Sequence, residues 1–292
     1  MAYIYKSDYR EAPVLRKSLC ALAETVFGIN FEGWYKKGFW TEKYRPFSFC
    51  DGGTIIANVS VSKIGLVMNG ELKDGLQIGT VMVHPDYRGK GLARKLMERV
   101  LKEYEGQYDV MYLFANQEVL DFYPKFGFAP VAEYVNSLPY SGKANNHNDV
   151  LQLNMENRKD REFLLNFAKQ RIQVSSLFAT EGTEELLMFY CMNVFSDSIY
   201  YLEDEECIAI YQESDGELQL FDLISRTKAN LPSVLDKIAG EETVRIVFHF
   251  TPDSYGLPMV ETPFLGSETM FVRKSERVNL PPKFKHPITS QA

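Results

Sequence analysis

Over residues 14–28, VLRKSLCALAETVFG, apolar side chains recur three and four positions apart. Leu15, Leu19, Leu22, Val26 and Phe27 make one face, and Gly28 supplies a stop. This pattern predicts a helix. After an aromatic-rich stretch, the run GTIIANVSVSKIGLVMNGEL reads as two strands around Asn69-Gly70, a dipeptide that favours a tight hairpin turn. LQIGTVMVHP is a further strand. LARKLMERVLKEY returns to helical spacing, with Leu92, Leu96, Val100, Leu101 and Tyr104 as its apolar stripe. YDVMYLFAN is a buried strand, and EVLDFYPKFGF a short helix ended by Gly127. Strands and helices thus alternate around an antiparallel hairpin, which predicts a mixed α/β layer.

Residues 136–149, NSLPYSGKANNHND, are polar and rich in turn formers, and mark a domain boundary. Beyond them the order of elements repeats. DREFLLNFAKQRI and EELLMFYCMNVF are helices; SIYYL, CIAIYQ and LQLFDLI are strands, with Asp215-Gly216 as a hairpin turn. LPSVLDKIAG is a helix, TVRIVFHF a strand and ETMFVRK a last strand. A repeat at domain length indicates duplication rather than a solenoid. The division expected is residues 1–140 and 141–292.

Length and charge narrow the classes. A chain of 292 residues suits two domains, and 45% hydrophobic with 24% charged residues suits a packed globular protein. No apolar run approaches the ~20 residues needed to span a bilayer. The start, MAYIYKSDYREAP, carries charges where a signal peptide needs apolar residues. A net charge of -7 argues against a nucleic-acid or anionic-membrane binder. Cys20, Cys50, Cys191 and Cys207 are scattered without metal-ligand spacing, which predicts free thiols in a cytoplasmic protein and no metal site. The acidic run Glu203–Glu206 reads as a solvated hairpin tip.

The chemistry concentrates in VMVHPDYRGKGLARKL, residues 81–96. Gly89 and Gly91 lie in a turn between strand and helix, where backbone N–H groups can point at a ligand with no Cβ in the way. The helix beyond presents the positive end of its dipole, and Arg88, Lys90, Arg94 and Lys95 add charge. The turn is therefore a candidate phosphate cradle; a basic surface turn is the plainer alternative. A Walker A loop needs Ser or Thr after Gly-Lys, and Gly91 stands there. A dinucleotide fingerprint needs a third glycine, and Arg94 occupies its place. Neither nucleotide hydrolysis nor hydride transfer is supported.

The stretch resembles the GNAT (Gcn5-related) N-acetyltransferases, which carry [QR]-x-x-G-x-[GA] between a strand ending in V-x-P and a helix. Arg88, Gly91 and Ala93 fit that pattern, after VMVHP. After the next strand the family has Asn, then Tyr, then Gly-Phe; here these are Asn116, Tyr123, Gly127 and Phe128. The resemblance covers about residues 1–135, and the rest is similar only in its order of elements. It implies two GNAT-like mixed-sheet α/β domains in tandem, the second degenerate. It also implies an acetyl-CoA-dependent N-acetyltransferase acting by direct transfer on a small-molecule amine, with no metal. Acetyl-CoA would contact Val81, Met82, Val83, Arg88, Gly89, Lys90, Gly91, Leu92, Ala93, Asn116 and Tyr123. Its pyrophosphate would sit on the turn amides, and its pantetheine arm would pair with Val81–Val83. A strand amide would polarise the thioester, and Tyr123 would protonate the departing thiolate. Protein lysine or N-terminal acetylation, and a non-catalytic acyl-CoA sensor, are the alternatives.

The general base does not follow from the motifs. Gln77 stands where a histone-type branch of the family has a glutamate, and an amide is no proton acceptor. Glu32 is the carboxylate candidate, with an exposed loop charge as the equal alternative; His84 at the strand end offers an imidazole, with a structural use as the plainer reading; a C-terminal carboxylate is the choice of a similar tandem group. Phe31, Trp34, Tyr35, Phe39, Trp40 and Tyr44 could line an acceptor pocket, including by cation–π contact; core packing or a domain interface would use the same residues. In the second half the turn reads LISRTKANLPSVL, with no glycine and with a proline near the helix start. That half is expected to shape the acceptor site.

Overall fold

The computed structural model describes residues 3–141 and 150–292, so part of the expected boundary segment lies outside the described residues. The first half runs β1 (Ile4–Ser7), α1 (Pro13–Phe27), α2 (Glu32–Lys36), β2 (Tyr44–Asp51), β3 (Thr54–Met68), β4 (Glu71–Val83), α3 (Leu92–Glu103), β5 (Val110–Asn116), β6 (Ala129–Val131) and β7 (Tyr134–Pro139). The second runs β8 (Val150–Gln152), α4 (Arg158–Lys169), β9 (Phe178–Glu181), α5 (Glu184–Asn193), β10 (Ile199–Leu202), β11 (Cys207–Ser214), β12 (Glu217–Ser225), α6 (Leu231–Ile238), β13 (Arg245–Phe248), β14 (Val260–Pro263) and β15 (Glu268–Lys274). The chain is therefore an α/β protein of two mixed sheets, as the alternation predicts.

Local signals account for most elements. Gly28 closes α1 in the left-handed region at φ 71°, which an L side chain enters only with strain. Asn69 and Gly70 both take positive φ, the tight turn that joins β3 to β4. Two segments were expected between residues 71 and 83; they form one continuous strand, because the ladder with β3 runs through from Met68↔Glu71 to Ala57↔Val83. The helix expected at EVLDFYPKFGF is a short 3-10 turn, Tyr123–Phe126, ended by Gly127 at φ 81°. Pro124 lacks the N–H that an α-helical ladder would need there.

The sheet order shows how the halves are joined. One sheet reads β1-β2-β3-β4-β5-β15-β6, with β9 also on β3; the other reads β14-β7-β13-β12-β11-β10-β8. In each, a parallel pair (β4 with β5, β12 with β13) is followed by a strand from the other half. β15 lies antiparallel between β5 and β6, from Glu268↔Asn116 to Lys274↔Val110. β7 lies between β13 and β14. The halves have exchanged their last strands, so a cut at 140/141 in sequence does not divide the sheets.

Packing follows the same plan. α3 buries Leu92, Leu96, Met97 and Val100 on one face of the first sheet, beside Val59, Val61, Met111 and Leu113. A second core is shared, and joins Leu19 and Trp34 to Phe167, Cys191 and Ile208. Where the chain crosses between halves, Lys285 Nζ donates to Glu133 Oε1 at 2.9 Å, and the His286 amide donates to the same oxygen at 2.9 Å. The His286 ring meets the Tyr112 hydroxyl at 3.0 Å. Lys285 and His286 are almost wholly buried, so leaving either partner of the ion pair alone would be costly. All four cysteines are buried and free. Lys237 pairs with Asp204 in the acidic run, which is a turn between β10 and β11.

Chains 1–141 and 142–292, made separately, should each fold poorly. Without β15 the first sheet loses buried Met270, Phe271 and Val272, together about 5 kcal/mol of apolar burial, and gains an open edge at β5. Co-expression should recover a 1:1 complex on gel filtration. A first half that melts cooperatively as a monomer would contradict the exchange.

Candidate active site

β4 and β5 are hydrogen-bonded only from Gly75↔Val110 to Ile78↔Leu113. Beyond that both strands continue and part. The cause is a bulge in β4: Asn58 pairs with Met82 and Ser60 with Gly79, so Thr80 and Val81 together face the single residue Val59. A two-against-one bulge bends its strand and leaves the extra residue unpaired. Thr80 sits at φ 43°, a conformation that costs a β-branched residue about 1–3 kcal/mol. A buried chain of polar groups holds it. Asn58 Nδ2 donates to the Thr80 carbonyl (2.9 Å) and to Ser60 Oγ (2.8 Å). The Tyr44 hydroxyl shares hydrogen bonds with Thr80 Oγ1 and Ser60 Oγ, each 2.8 Å. Ser48 Oγ donates to Asn58 Oδ1 at 2.8 Å and meets the Tyr9 hydroxyl at 2.6 Å.

The parting opens a cleft of about 710 Å³. Its floor is Gly79, Thr80, Val81 and Val83 of β4, with Phe114, Ala115 and Asn116 of β5 opposite. Arg88 and Ala93 stand at one end. Gly89 and Gly91 take φ 74° and 72°, and a Cβ on either would meet open space, so the turn's shape, not crowding, requires glycine. Gly91 caps α3 with no side-chain bond, which leaves the first-turn N–H groups free. Lys90 turns back onto the Asp86 carbonyl at 3.1 Å and lies over the Tyr87 ring.

Of the other residues expected to hold a cofactor, Met82 and Leu92 bury their side chains in the cores and offer only backbone. Asn116 Oδ1 accepts from the Glu118 amide at 3.1 Å, which shapes the turn after β5, and Asn116 also lines the cleft. Tyr123 lines it too, and burial, then the charge of Glu268, pushes its hydroxyl up to about 12.

The base candidates are sorted by position. Glu32 does not line the cleft; its half-buried carboxylate faces the buried Arg16 at 3.3 Å and the exposed Lys36 at 3.8 Å. Gln77 is fully buried beside Ser62 and does not line the cleft either. His84 Nδ1 accepts from the Asp86 amide at 3.3 Å and caps the turn after β4. Ala292 does reach the cleft: a Cβ on Gly79 would lie 2.7 Å from its backbone carbon. Glu268, at the start of β15, also lines the cleft, in register with Asn116.

The aromatic segment does two jobs. Phe31, Trp34 and Tyr44 line the cleft, while Tyr35, Phe39 and Trp40 do not. Trp40 stacks behind Trp34 at 6.2 Å. Phe189 and Tyr190 of α5 complete the wall from the second half, with Phe189 5.7 Å from Phe31. Trp34 Nε1 donates to the Glu185 carbonyl at 2.8 Å, and Lys43 bridges Glu184 and Glu185. At the corresponding turn of the second half, before α6, the space is about 20 Å³ and is lined by Lys228, Ala229 and Tyr255 among others.

Sequence comparison agrees with this geometry. Residues 48–130 match the acetyltransferase (GNAT) domain family. Uncharacterized N-acetyltransferases of Gracilaria tenuistipitata and Porphyra purpurea are 40% and 36% identical over 53 and 52 residues, 18% of this chain. The chain spans only 29% and 30% of those relatives' length. A probable N-acyltransferase of Enterococcus faecalis superposes with a TM-score of 0.64 at 15% identity, over 94% of this chain and 72% of that one. Eis1 of Mycobacterium abscessus does so at 0.58 and 12%, over 93% and 74%. A putative acetyltransferase of Pyrococcus horikoshii does so at 0.53 and 12%, over 99% and 96%. These structures share the fold of both halves. Residues 48–130, in the first half, thus carry the match to the acetyltransferase (GNAT) domain, and the likeness to the solved structures shows the fold of the rest. Among the described residues no helix is long and apolar enough to cross a membrane, and no cluster of His, Cys, Asp and Glu is placed to hold a metal.

Asn58→Ala should leave the Thr80 carbonyl without its side-chain donor and Ser48 with the Tyr9 hydroxyl alone, in a buried site. A loss of about 2 kcal/mol or more is expected from denaturant melts. Unchanged stability would mean that the polar chain does not hold the bulge.

Proposed function

We propose that the protein is an acetyl-CoA-dependent N-acetyltransferase that acts on a small-molecule amine. The observation that carries this reading is the cleft itself: two parallel strands parted by a bulge, a glycine turn with free amides at one end, and a buried tyrosine at the centre. The pyrophosphate of acetyl-CoA would rest on the amides of Arg88 to Ala93, where the helix end favours anions. The pantetheine arm would lie along Val81–Val83 as an added strand. An unpaired amide of the bulge would take the thioester oxygen and stabilise the charge that develops on it. Tyr123, protonated throughout the neutral range, would deliver its proton to the leaving thiolate. The 20 Å³ space at the second half's turn supports one cofactor per chain. α5 walls the acceptor side, which favours a small amine over a folded protein's tail. The buried free thiols suit a cytoplasmic protein.

Glu268, whose carboxylate lines the cleft, is the base candidate in place of Glu32.

Gly91→Glu should abolish acetyl-CoA affinity by calorimetry, since it sets a side chain and a negative charge where the phosphates would sit. Unchanged affinity in a folded variant would remove the cradle. Tyr123→Phe should lower kcat roughly 10²-fold while acetyl-CoA affinity stays within a few fold. The alkaline limb assigned to Tyr123 should lie near its raised value of about 12, so activity should not fall on that account between pH 7 and 10. A kcat that is unaltered while chemistry limits turnover would mean another acid.

A further inference from the structure

We propose that the acceptor is a primary amine with one positive charge on a flat apolar body, and that Glu268, delivered by the exchanged strand β15, receives its ammonium group. This deepens the acetyltransferase reading and rests on it for the transfer step, though not for binding of the amine. Three observations converge. First, the wall beyond the bulge is apolar and built from both halves: Ile29, Phe31, Trp34, Leu186 and Phe189. Second, charge is scarce. Among the described residues lining the cleft the cation is Arg88, at the turn, and the side-chain acids are Glu118, exposed on the turn after β5, and Glu268. A polycation would find too few partners. Third, Glu268 forms no ion pair among the described residues, and the cation nearest to it in charge, Lys285, is committed to Glu133 at 2.9 Å.

The charge of Glu268 is felt by Tyr123 on one side and by Tyr190 of α5 on the other. All three residues line the same cleft, and Glu268 sits in register with Asn116, so the carboxylate shares one space with the proton donor and the aromatic wall. The cleft walls, then Glu133, raise its affinity for a proton, while Lys285 opposes them. Glu268 is still open to solvent through the mouth of the cleft, so a cation can reach it.

The step balances. The ammonium gives one proton to the Glu268 carboxylate, and the freed nitrogen pair attacks the thioester carbon. The C–N bond forms, the C–S pair leaves on sulfur, and the thiolate takes the Tyr123 proton. The second proton lost from nitrogen restores Tyr123, and Glu268 returns its own to solvent.

The probe is 2-phenylethylamine, compared with the polycation spermidine. Trp34 lines the cleft, Trp40 stacks on it, and these are the chain's only tryptophans, so their emission reports occupancy without cofactor. Wild type should bind 2-phenylethylamine saturably, and Glu268→Gln should weaken that binding about tenfold to a hundredfold. Its melting temperature and acetyl-CoA affinity should stay at wild-type values. In transfer assays kcat/KM should favour 2-phenylethylamine over spermidine, and Glu268→Gln should lower it by about 10² or more. No binding by wild type, a preference for spermidine, or a Glu268→Gln effect within twofold would each overturn the inference. Glu268-dependent amine binding in a chain that takes no acetyl-CoA would overturn the acetyltransferase reading alone.

Discussion

The ladder between β15 and β5 is the contact on which the rest depends. β5 is buried along most of its length and would otherwise present a row of unpaired backbone groups. The strand that covers it comes from the far end of the sequence, and its register, Glu268↔Asn116 to Lys274↔Val110, leaves no freedom to slip. A shift by one residue would move Met270 and Val272 to the opposite face, where Phe271 now packs, and would put Thr269, Phe271 and Arg273 in their place. β7 makes the reciprocal contact in the other sheet. The Lys285–Glu133 pair then fixes the crossing point, because neither charge can be left alone in a dry interior. The wall of the cleft beyond the bulge is thereby assembled from residues more than a hundred positions apart.

The opposite end of the cleft, by the turn at Arg88–Ala93, has a different origin, in a single irregular strand. Parallel β4 and β5 carry their carboxyl ends to the same side of the sheet, where crevices in α/β folds form. A crevice still needs the strands to separate. The bulge at Thr80 does this while keeping β4 attached to β3, and the strain at Thr80 is offset by Asn58, Ser60 and Tyr44. The same bulge frees backbone amides at the point where a thioester carbonyl would lie. Shape and electrostatics thus arise from one insertion.

These features were unequally legible in the sequence. The strand–turn–helix around Gly89 and Gly91 was readable because glycine at positive φ and an apolar stripe at helical spacing are local signals. So were both hairpin turns, and the boundaries of β15 as an element. Where β15 would pair was not readable, since periodicity tells which face of a strand is buried but not which neighbour it has. Glu268 was missed for that reason. Thr80 was missed because nothing in TVMV announces a bulge, and a β-branched residue is an unexpected occupant of positive φ. Glu32 was favoured for lying among aromatics; Arg16, on the preceding helix, faces it instead. The aromatic segment divided between cleft and interface, a choice set by α5, whose partners lie about 150 residues away.

The asymmetry between the halves follows from these two origins. A turn without glycine, opened by Pro232 near the start of α6, cannot form a second cradle, and almost no space opens there. Yet the second half cannot be dispensed with, because it supplies a strand of the first sheet, an aromatic wall and the segment that ends at Gly79. Exchange of strands separates two demands that a single domain must meet together. The first half keeps the backbone geometry that anion binding requires. The second is released from that geometry and free to vary the cleft wall it supplies, provided β15 and α5 still fit. Differences in acceptor among proteins built this way should therefore concentrate in α5 and in the loop before β15, while the turn at Arg88–Ala93 stays constant in shape.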